Sequence, residues 1–292
     1  MIFSGRTFWW LLRRSLVRAW EDGCLGIAKG AAYSALLSFF PVLTVTATVL
    51  VQANAESVSR RISRFLFEVV PPGTEELVMR QFTVRGARPL SLLVFAGLLS
   101  LWAASGLTTS LMDGFDASYR VPCGRPFFKQ RLVGILLVFC GVLPAVGASA
   151  LIVFGDRTEQ AVLHAIGLVP ASAPLAGGVA LVGRLARFLI AFASTVFVTA
   201  AMYYFGPNRR QKWRAVWPGA LLATFMWLGA TSVFAWYVRY IANYNVFYGS
   251  VGAVVALLVW MYVMVAIALV GCEFNAELEH LRRAFAVPHG EQ

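Results

Sequence analysis

Charged residues are unevenly spaced along this chain. They gather in clusters, and the clusters bound six long apolar stretches. The last stretch is the most extreme: nothing charged stands between Arg239 and Glu273. A helix needs about 20 apolar residues to cross the hydrocarbon of a bilayer. In lipid only a helix or a closed barrel satisfies its own backbone. The pattern predicts a transmembrane helix over about 250–271, led in by an interfacial aromatic pair, Tyr244 and Tyr248, and a turn at Tyr248-Gly249-Ser250. Five further spans are predicted over about 30–53, 90–111, 132–154, 185–205 and 215–237. The fold class is all-α: a polytopic membrane protein with six transmembrane helices and amphipathic interfacial helices, in one membrane domain over 1–292. The other spans are expected to pack around the sixth.

Between the spans the periodicity changes. Residues 6–20 are too charged to cross a bilayer. On a helical wheel Phe8, Leu12, Leu16 and Ala19 share a face with Trp9 and Trp20, and Arg13, Arg14 and Arg18 lie opposite. That predicts either an amphipathic helix in the interface or a first helix packed on the bundle. Residues 54–89 read as a surface helix, a break at Pro71-Pro72-Gly73 and a second short helix. Residues 155–183 are Gly-, Ala- and Pro-rich and predict a short helix lying on the membrane. Residues 273–292 read as a cytoplasmic tail. Pro41 and Pro144 fall inside spans, where proline removes a backbone hydrogen bond and frees carbonyls. Pro218 falls in the predicted first turn of the fifth span, where it is tolerated.

Composition agrees with this layout. Of 292 residues, 59% are hydrophobic and 13% charged, against roughly 25% charged in soluble domains. The net charge of +11 would suit nucleic acid. No Lys/Arg-rich block stands clear of the membrane segments, however, so the expected partner is the lipid bilayer, with anionic headgroups meeting the arginines at span ends, and not nucleic acid. The second connection carries Arg120, Arg125, Lys129 and Arg131, the fourth Arg209, Arg210, Lys212 and Arg214, and neither holds an acid. Such loops face the cytoplasm, which places both termini there. The first connection dissents, with Arg60, Arg61, Arg64, Arg80, Arg85 and Arg88 on the other side. Cys24, Cys123 and Cys272 then face the reducing cytosol. No cleaved leader is expected, because no compact apolar run ends in a small-residue cleavage site near the N-terminus.

Candidate chemistry sits at the rim. Lys29, Asp113, Asp116, Arg209, Arg210, Glu273 and Glu277 all fall near the cytoplasmic boundary and form a candidate gate or substrate cluster. Charges this close to hydrocarbon are costly unless paired or wet, and Lys29 is expected to pair with Glu273 or Asp113. The cluster reads either as a salt-bridge belt that anchors the bundle or as a gate or site for an anionic headgroup. Ser34, Ser38 and Pro41 share one face of the first span, and with Ser105, Thr108 and Thr109 they offer a hydroxyl-lined path. The alternative is that each hydroxyl bonds a carbonyl of its own helix. His164, His280 and His289 have no metal-ligand spacing, and no phosphate-binding loop or nucleophile motif occurs. No metal, cofactor or catalytic residue is expected, nor any carboxylate deep within a span.

Several motifs together resemble a known family. They are Ala31-Ala32-Tyr33-Ser34-Ala35-Leu36-Leu37-Ser38-Phe39-Phe40-Pro41, Trp102-Ala103-Ala104-Ser105-Gly106, Tyr204-Phe205-Gly206-Pro207-Asn208, Trp217-Pro218-Gly219-Ala220 and Tyr248-Gly249-Ser250-Val251-Gly252-Ala253, running on to Trp260, Gly271, Glu273 and Asn275. Over roughly 10–280 the chain resembles the YihY / virulence factor BrkB family of bacterial inner-membrane proteins. The resemblance implies a six-span helical protein of the bacterial plasma (inner) membrane. Some members are regarded as transporter-like, others have been labelled ribonucleases, and no catalytic residues carry over. The expected function is an export or flippase-like transporter of an amphiphilic, anionic substrate; the alternative is a non-transporting membrane organiser. A ribonuclease is not expected, because the acids sit at membrane boundaries rather than in a metal-holding cluster.

Overall fold

The computed structural model describes residues 5–52, 90–165, 177–240 and 249–286, and among them it holds helices and no strand. The helices are α1 (Gly5–Glu21), α2 (Cys24–Gln52), α3 (Leu90–Ser118), α4 (Phe127–Ala165), α5 (Gly177–Phe205), α6 (Trp213–Tyr240) and α7 (Gly249–Ala286). All but α1 are long and apolar enough to cross a membrane, six candidate spans in all. This matches the six apolar stretches. The readings over 54–89 and at Tyr244 and Tyr248 lie outside the described residues.

The boundaries differ in instructive ways. The sixth span does not stop at Gly271: α7 runs on to Ala286 without a break. The predicted cytoplasmic tail is therefore, at its start, a continuation of the core helix. The short surface helix predicted within 155–183 is not separate where described, because α4 continues to Ala165 and α5 begins at Gly177. Pro218 lies beyond the first turn of α6, which starts at Trp213.

Packing explains why α7 can carry charge so far. It touches α1, α2, α3 and α6, and every residue from Leu269 to Leu278 is buried. A helix enclosed on all sides is a core element, and its polar groups must find partners inside the protein. α2 to α7 alternate in direction. The start of α2, the ends of α3, α5 and α7, and the starts of α4 and α6 meet at one end of the bundle. α1 lies at that same end against α7 and α2. The outward faces elsewhere carry large apolar side chains such as Phe95, Leu143 and Leu189, each about two-thirds exposed, as lipid-facing positions are.

Candidate functional site at the polar end of the bundle

The site is built on the last turns of α7, where Glu273, Asn275 and Glu277 are all buried. Asn275 answers a defect in α6. Pro218 has no N–H, and its ring disturbs the carbonyl four residues earlier. Beside the proline the Gly219 N–H donates to Asn275 Oδ1 at 2.7 Å, and Asn275 Nδ2 donates to the Val216 carbonyl at 3.0 Å. One side-chain amide thus bonds two backbone groups of α6 on either side of Pro218. The two helices nearly touch here: a Cβ on Gly219 would stand 2.1 Å from the Gly271 carbonyl oxygen, and one on Gly271 would stand 2.5 Å from the Tyr203 hydroxyl. Tyr203 is buried, donates to the Ala268 carbonyl at 2.5 Å and meets Phe115 edge-on at 5.3 Å. α5, α6 and α7 are locked together at these points.

Glu277, one turn further along α7, holds α1. Arg14 Nε lies 2.6 Å and Arg18 Nε 3.5 Å from its carboxylate oxygens. The Phe8 ring meets that of Phe274 at a tilt, centroids 5.8 Å apart, and Leu11, Ser15 and Ala19 are buried. α1 is packed on the bundle, yet it keeps a second apolar face outward, with Trp9, Leu16 and Trp20 exposed. The two readings of residues 6–20 therefore describe two faces of one helix. The turn after α1 is sharp, with Gly23 at φ 72°, a left-handed conformation that suits glycine.

Glu273 is different. It is 1% exposed; the Cys24 thiol donates to its Oε1 at 3.8 Å, and the Ser118 hydroxyl is its other side-chain partner. Ser118 Oγ lies 3.8 Å from the same sulfur and 3.0 Å from the Gly114 carbonyl. Among the described residues no Lys, Arg or His lies within salt-bridge distance of Glu273.

Several other charges are tied up around this core. Arg209 donates to both oxygens of Glu279 at 2.7 Å and lies over the Tyr119 ring at 4.2 Å. Burial pushes the Tyr119 phenol well above its ordinary range, so the ring stays neutral beneath the guanidinium. Asp116 accepts from the Asn208 N–H at 2.6 Å, and Asp113 from Gln130 at 2.6 Å. Arg125 reaches the carbonyls of Phe205, Gly206 and Pro207 and so caps the C-terminus of α5, where a cation meets unpaired carbonyls and the negative end of the helix dipole.

Nearer mid-bundle, the helices leave a partly open cavity of about 320 Å³. Its wall includes Leu111, Gly141, Thr195, Thr199, Thr224 and Met264. The three threonine hydroxyls each donate to a carbonyl of their own helix, at 3.0, 2.9 and 2.8 Å, so the lining is almost wholly apolar.

A family model described as virulence factor BrkB matches residues 15–291. The chain belongs to the virulence factor BrkB family. Across the family's span it is 29% identical to the ribonuclease-like protein YfkH of Bacillus subtilis (strain 168), covering 88% of this chain and 91% of that one. It is 29% identical to a UPF0761 membrane protein of Chromohalobacter salexigens, over 93% of this chain and 64% of that one. With the UPF0761 membrane protein RSc1559 of Ralstonia nicotianae the figures are 28%, 94% and 60%. The chain thus spans less than two thirds of these last two relatives. No solved structure matches it.

In this BrkB-family bundle the predicted rim residues share one end but not one constellation. Asp113, Asp116, Arg209, Glu273 and Glu277 gather there, each with different partners. Arg210 and Lys29 are exposed, and Lys29 pairs with neither Glu273 nor Asp113. Ser34, Ser38 and Ser105 donate to carbonyls of their own helices at 3.2, 2.8 and 2.7 Å. Thr108 Oγ1 lies 3.0 Å from the carbonyls of Ser105 and of Gly134, across the α3–α4 contact. Neither these four nor Pro41, which α2 carries inside its length, lines the cavity. Sequence reading passed over Arg14, Arg18 and Glu279 as partners, and Cys24 and Ser118 as neighbours of Glu273. The signals present were the Pro218-Gly219 pair and an asparagine set between two glutamates on an apolar helix. Among the described residues no group of His, Cys, Asp and Glu is placed to hold a metal.

Proposed function

We propose that this BrkB-family protein is a transporter or flippase-like exporter of an amphiphile, with its six spans in the bacterial plasma membrane and both termini in the cytoplasm. The observation that carries this is the cavity. It lies among five helices, has an apolar wall, and at about 320 Å³ is at the lower end of the roughly 300–1,000 Å³ of small-molecule pockets. Such a space accepts an apolar tail and offers nothing to a sugar or an ion. The basic end of the bundle suits an anionic head. With no nucleotide-binding motif, movement is passive, ion-coupled or dependent on a partner. We propose no enzymatic role. The ribonuclease-like name of the Bacillus relative would require a metal or acid–base constellation, and the acids at the polar end each take separate partners: arginines for Glu277 and Glu279, Gln130 for Asp113, the Asn208 N–H for Asp116.

The test is reconstitution in liposomes carrying a fluorescent phosphatidylglycerol, followed by quenching from outside. The expected result is protein-dependent movement, slowed several-fold by Gly141→Leu. Gly141 lines the cavity, and its added side chain would point at Met202, 3.5 Å from the new Cβ. Movement no faster than in empty liposomes sinks the reading. The membrane-organiser alternative, favoured by the outward apolar face of α1, would then be pursued by isolating a stoichiometric protein partner.

A further inference from the structure

Glu273 is the most deeply buried carboxylate of the polar end, at 1% exposure, and among the described residues no cation lies within salt-bridge distance of it. An ionised carboxylate in a protein interior needs a cation or several strong donors, since desolvation costs several kcal/mol. The described elements around it supply only a hydroxyl and a thiol as donors. The turn before α2 brings Asp22, which is 3.6 Å from Arg120. α2 brings the Cys24 thiol, a weak donor. α3 brings Ser118, a single hydroxyl shared between Glu273 and the Gly114 carbonyl, and leads into the neutral Tyr119. α7 itself adds the Cys272 thiol and the Glu277 carboxylate. The nearby arginines are engaged elsewhere: Arg14 and Arg18 with Glu277, Arg209 with Glu279. A neutral acid needs no counter-charge and fits these surroundings.

We propose that Glu273 is a proton-binding site, held as the neutral acid while α1 is docked and giving its proton to cytoplasmic water when α1 loosens. The step is a simple one: the carboxylic acid becomes a carboxylate and releases one proton. Ionisation leaves a buried negative charge beside Asp22 and Glu277, which drives this end of α7 to open towards water. α7 also forms part of the cavity wall, through Met264 and Ala268, and Tyr203 ties that wall to the same helix. The proton is therefore the coupling ion for amphiphile movement, a step that rests on the transport reading above.

Infrared spectra of the purified protein in nanodiscs test the site without any transport. The expected result is a protonated-carboxyl band at neutral pH, lost in Glu273→Gln and kept in Glu277→Gln. If Glu273→Gln does not fold, Cys24→Ala keeps the acid, removes its thiol neighbour and is expected to shift the band. A missing band, or one indifferent to these changes, overturns the proposal. In phosphatidylglycerol liposomes a single controlling protonation gives up to about tenfold change in rate per pH unit, and Glu273→Gln is expected to abolish that dependence. An unchanged pH profile in the variant overturns the coupling. Liposomes showing no lipid movement with wild type refute the transport reading alone and leave the infrared result to decide the proton site.

Discussion

The polar end of this bundle and its outward faces are held differently. At the polar end the helices are joined by named bonds: the Asn275 amide beside Pro218 in α6, two arginines on Glu277, Arg209 on Glu279, Arg125 across three carbonyls. Glycines there admit backbone to backbone contact. Along the outward faces the same helices present large, exposed apolar side chains such as Phe95, Leu143 and Leu189. The contrast follows from the solvent. Lipid is as apolar as leucine, so burying leucine against another helix gains little over leaving it in lipid. Register and neighbour choice must come from polar bonds and close packing, and among the described residues the polar end carries many of both.

The sharpest way to break that picture is Gly219→Ala. The new methyl would stand 2.1 Å from the Gly271 carbonyl oxygen and 2.5 Å from Asn275 Nδ2. A backbone atom cannot rotate away, so α6 and α7 must separate. The expected loss is about 3 kcal/mol or more, at the upper end of overpacking costs, read by denaturant unfolding in detergent micelles. Gly229→Ala on the same helix meets nothing within 4 Å and is expected to be neutral or to gain up to about 1 kcal/mol from helix propensity. Equal behaviour of the two variants would remove the claim that the α6–α7 contact fixes the fold.

Next in size is Asn275→Ala. It takes the side-chain partner from the Gly219 N–H and the Val216 carbonyl in a buried turn around Pro218. Each unsatisfied group costs about 1–3 kcal/mol, so a loss of about 2–3 kcal/mol is expected, read by the same unfolding measurement. A loss below about 0.5 kcal/mol would mean that water or another group replaces the amide, and that α6 does not depend on α7 for its continuity.

These two residues also show how much of the molecule was legible in its sequence. The six spans were, because a run of apolar residues states its own solvent: nothing else explains the stretch from Arg239 to Glu273. The gathering of Asp113, Asp116, Arg209, Glu273 and Glu277 at one end was legible from the alternation of the spans. Depth and pairing were not. Hydropathy treats the first carboxylate after an apolar run as the membrane rim, and on that basis 273–292 reads as a tail. The carboxylate is instead enclosed, because α1 folds back over α7 and α3 closes the other side. A helix packed at right register on a charged neighbour leaves no local periodic mark. Arg14 and Arg18 look like a solvated face until Glu277 is placed beside them, and Lys29 looks like a partner until it is found exposed. The hydroxyls of Ser34, Ser38, Ser105 and Thr108 had two readings in sequence, and their bonds to helix carbonyls belong to the quieter one.

The smallest effect is expected at Leu136→Ala, and its smallness carries the comparison. Leu136 lies on the outward face of α4 and is 59% exposed. In water such a truncation inside an apolar patch would alter solubility. In a bilayer the lost side chain is replaced by lipid tails of the same polarity, so unfolding in micelles is expected to shift by no more than about 0.5 kcal/mol. Leu269→Ala provides the reference. That side chain is 0% exposed and packs on Gly114 across the α3–α7 contact; its loss leaves a cavity that lipid does not reach, at a cost of about 2–5 kcal/mol. Were Leu136→Ala to cost as much as Leu269→Ala, its face would be covered by protein rather than lipid. The cover would be a second copy of the chain, which cross-linking at that face would detect, and the division between a bonded end and a lipid-held face would no longer describe the molecule.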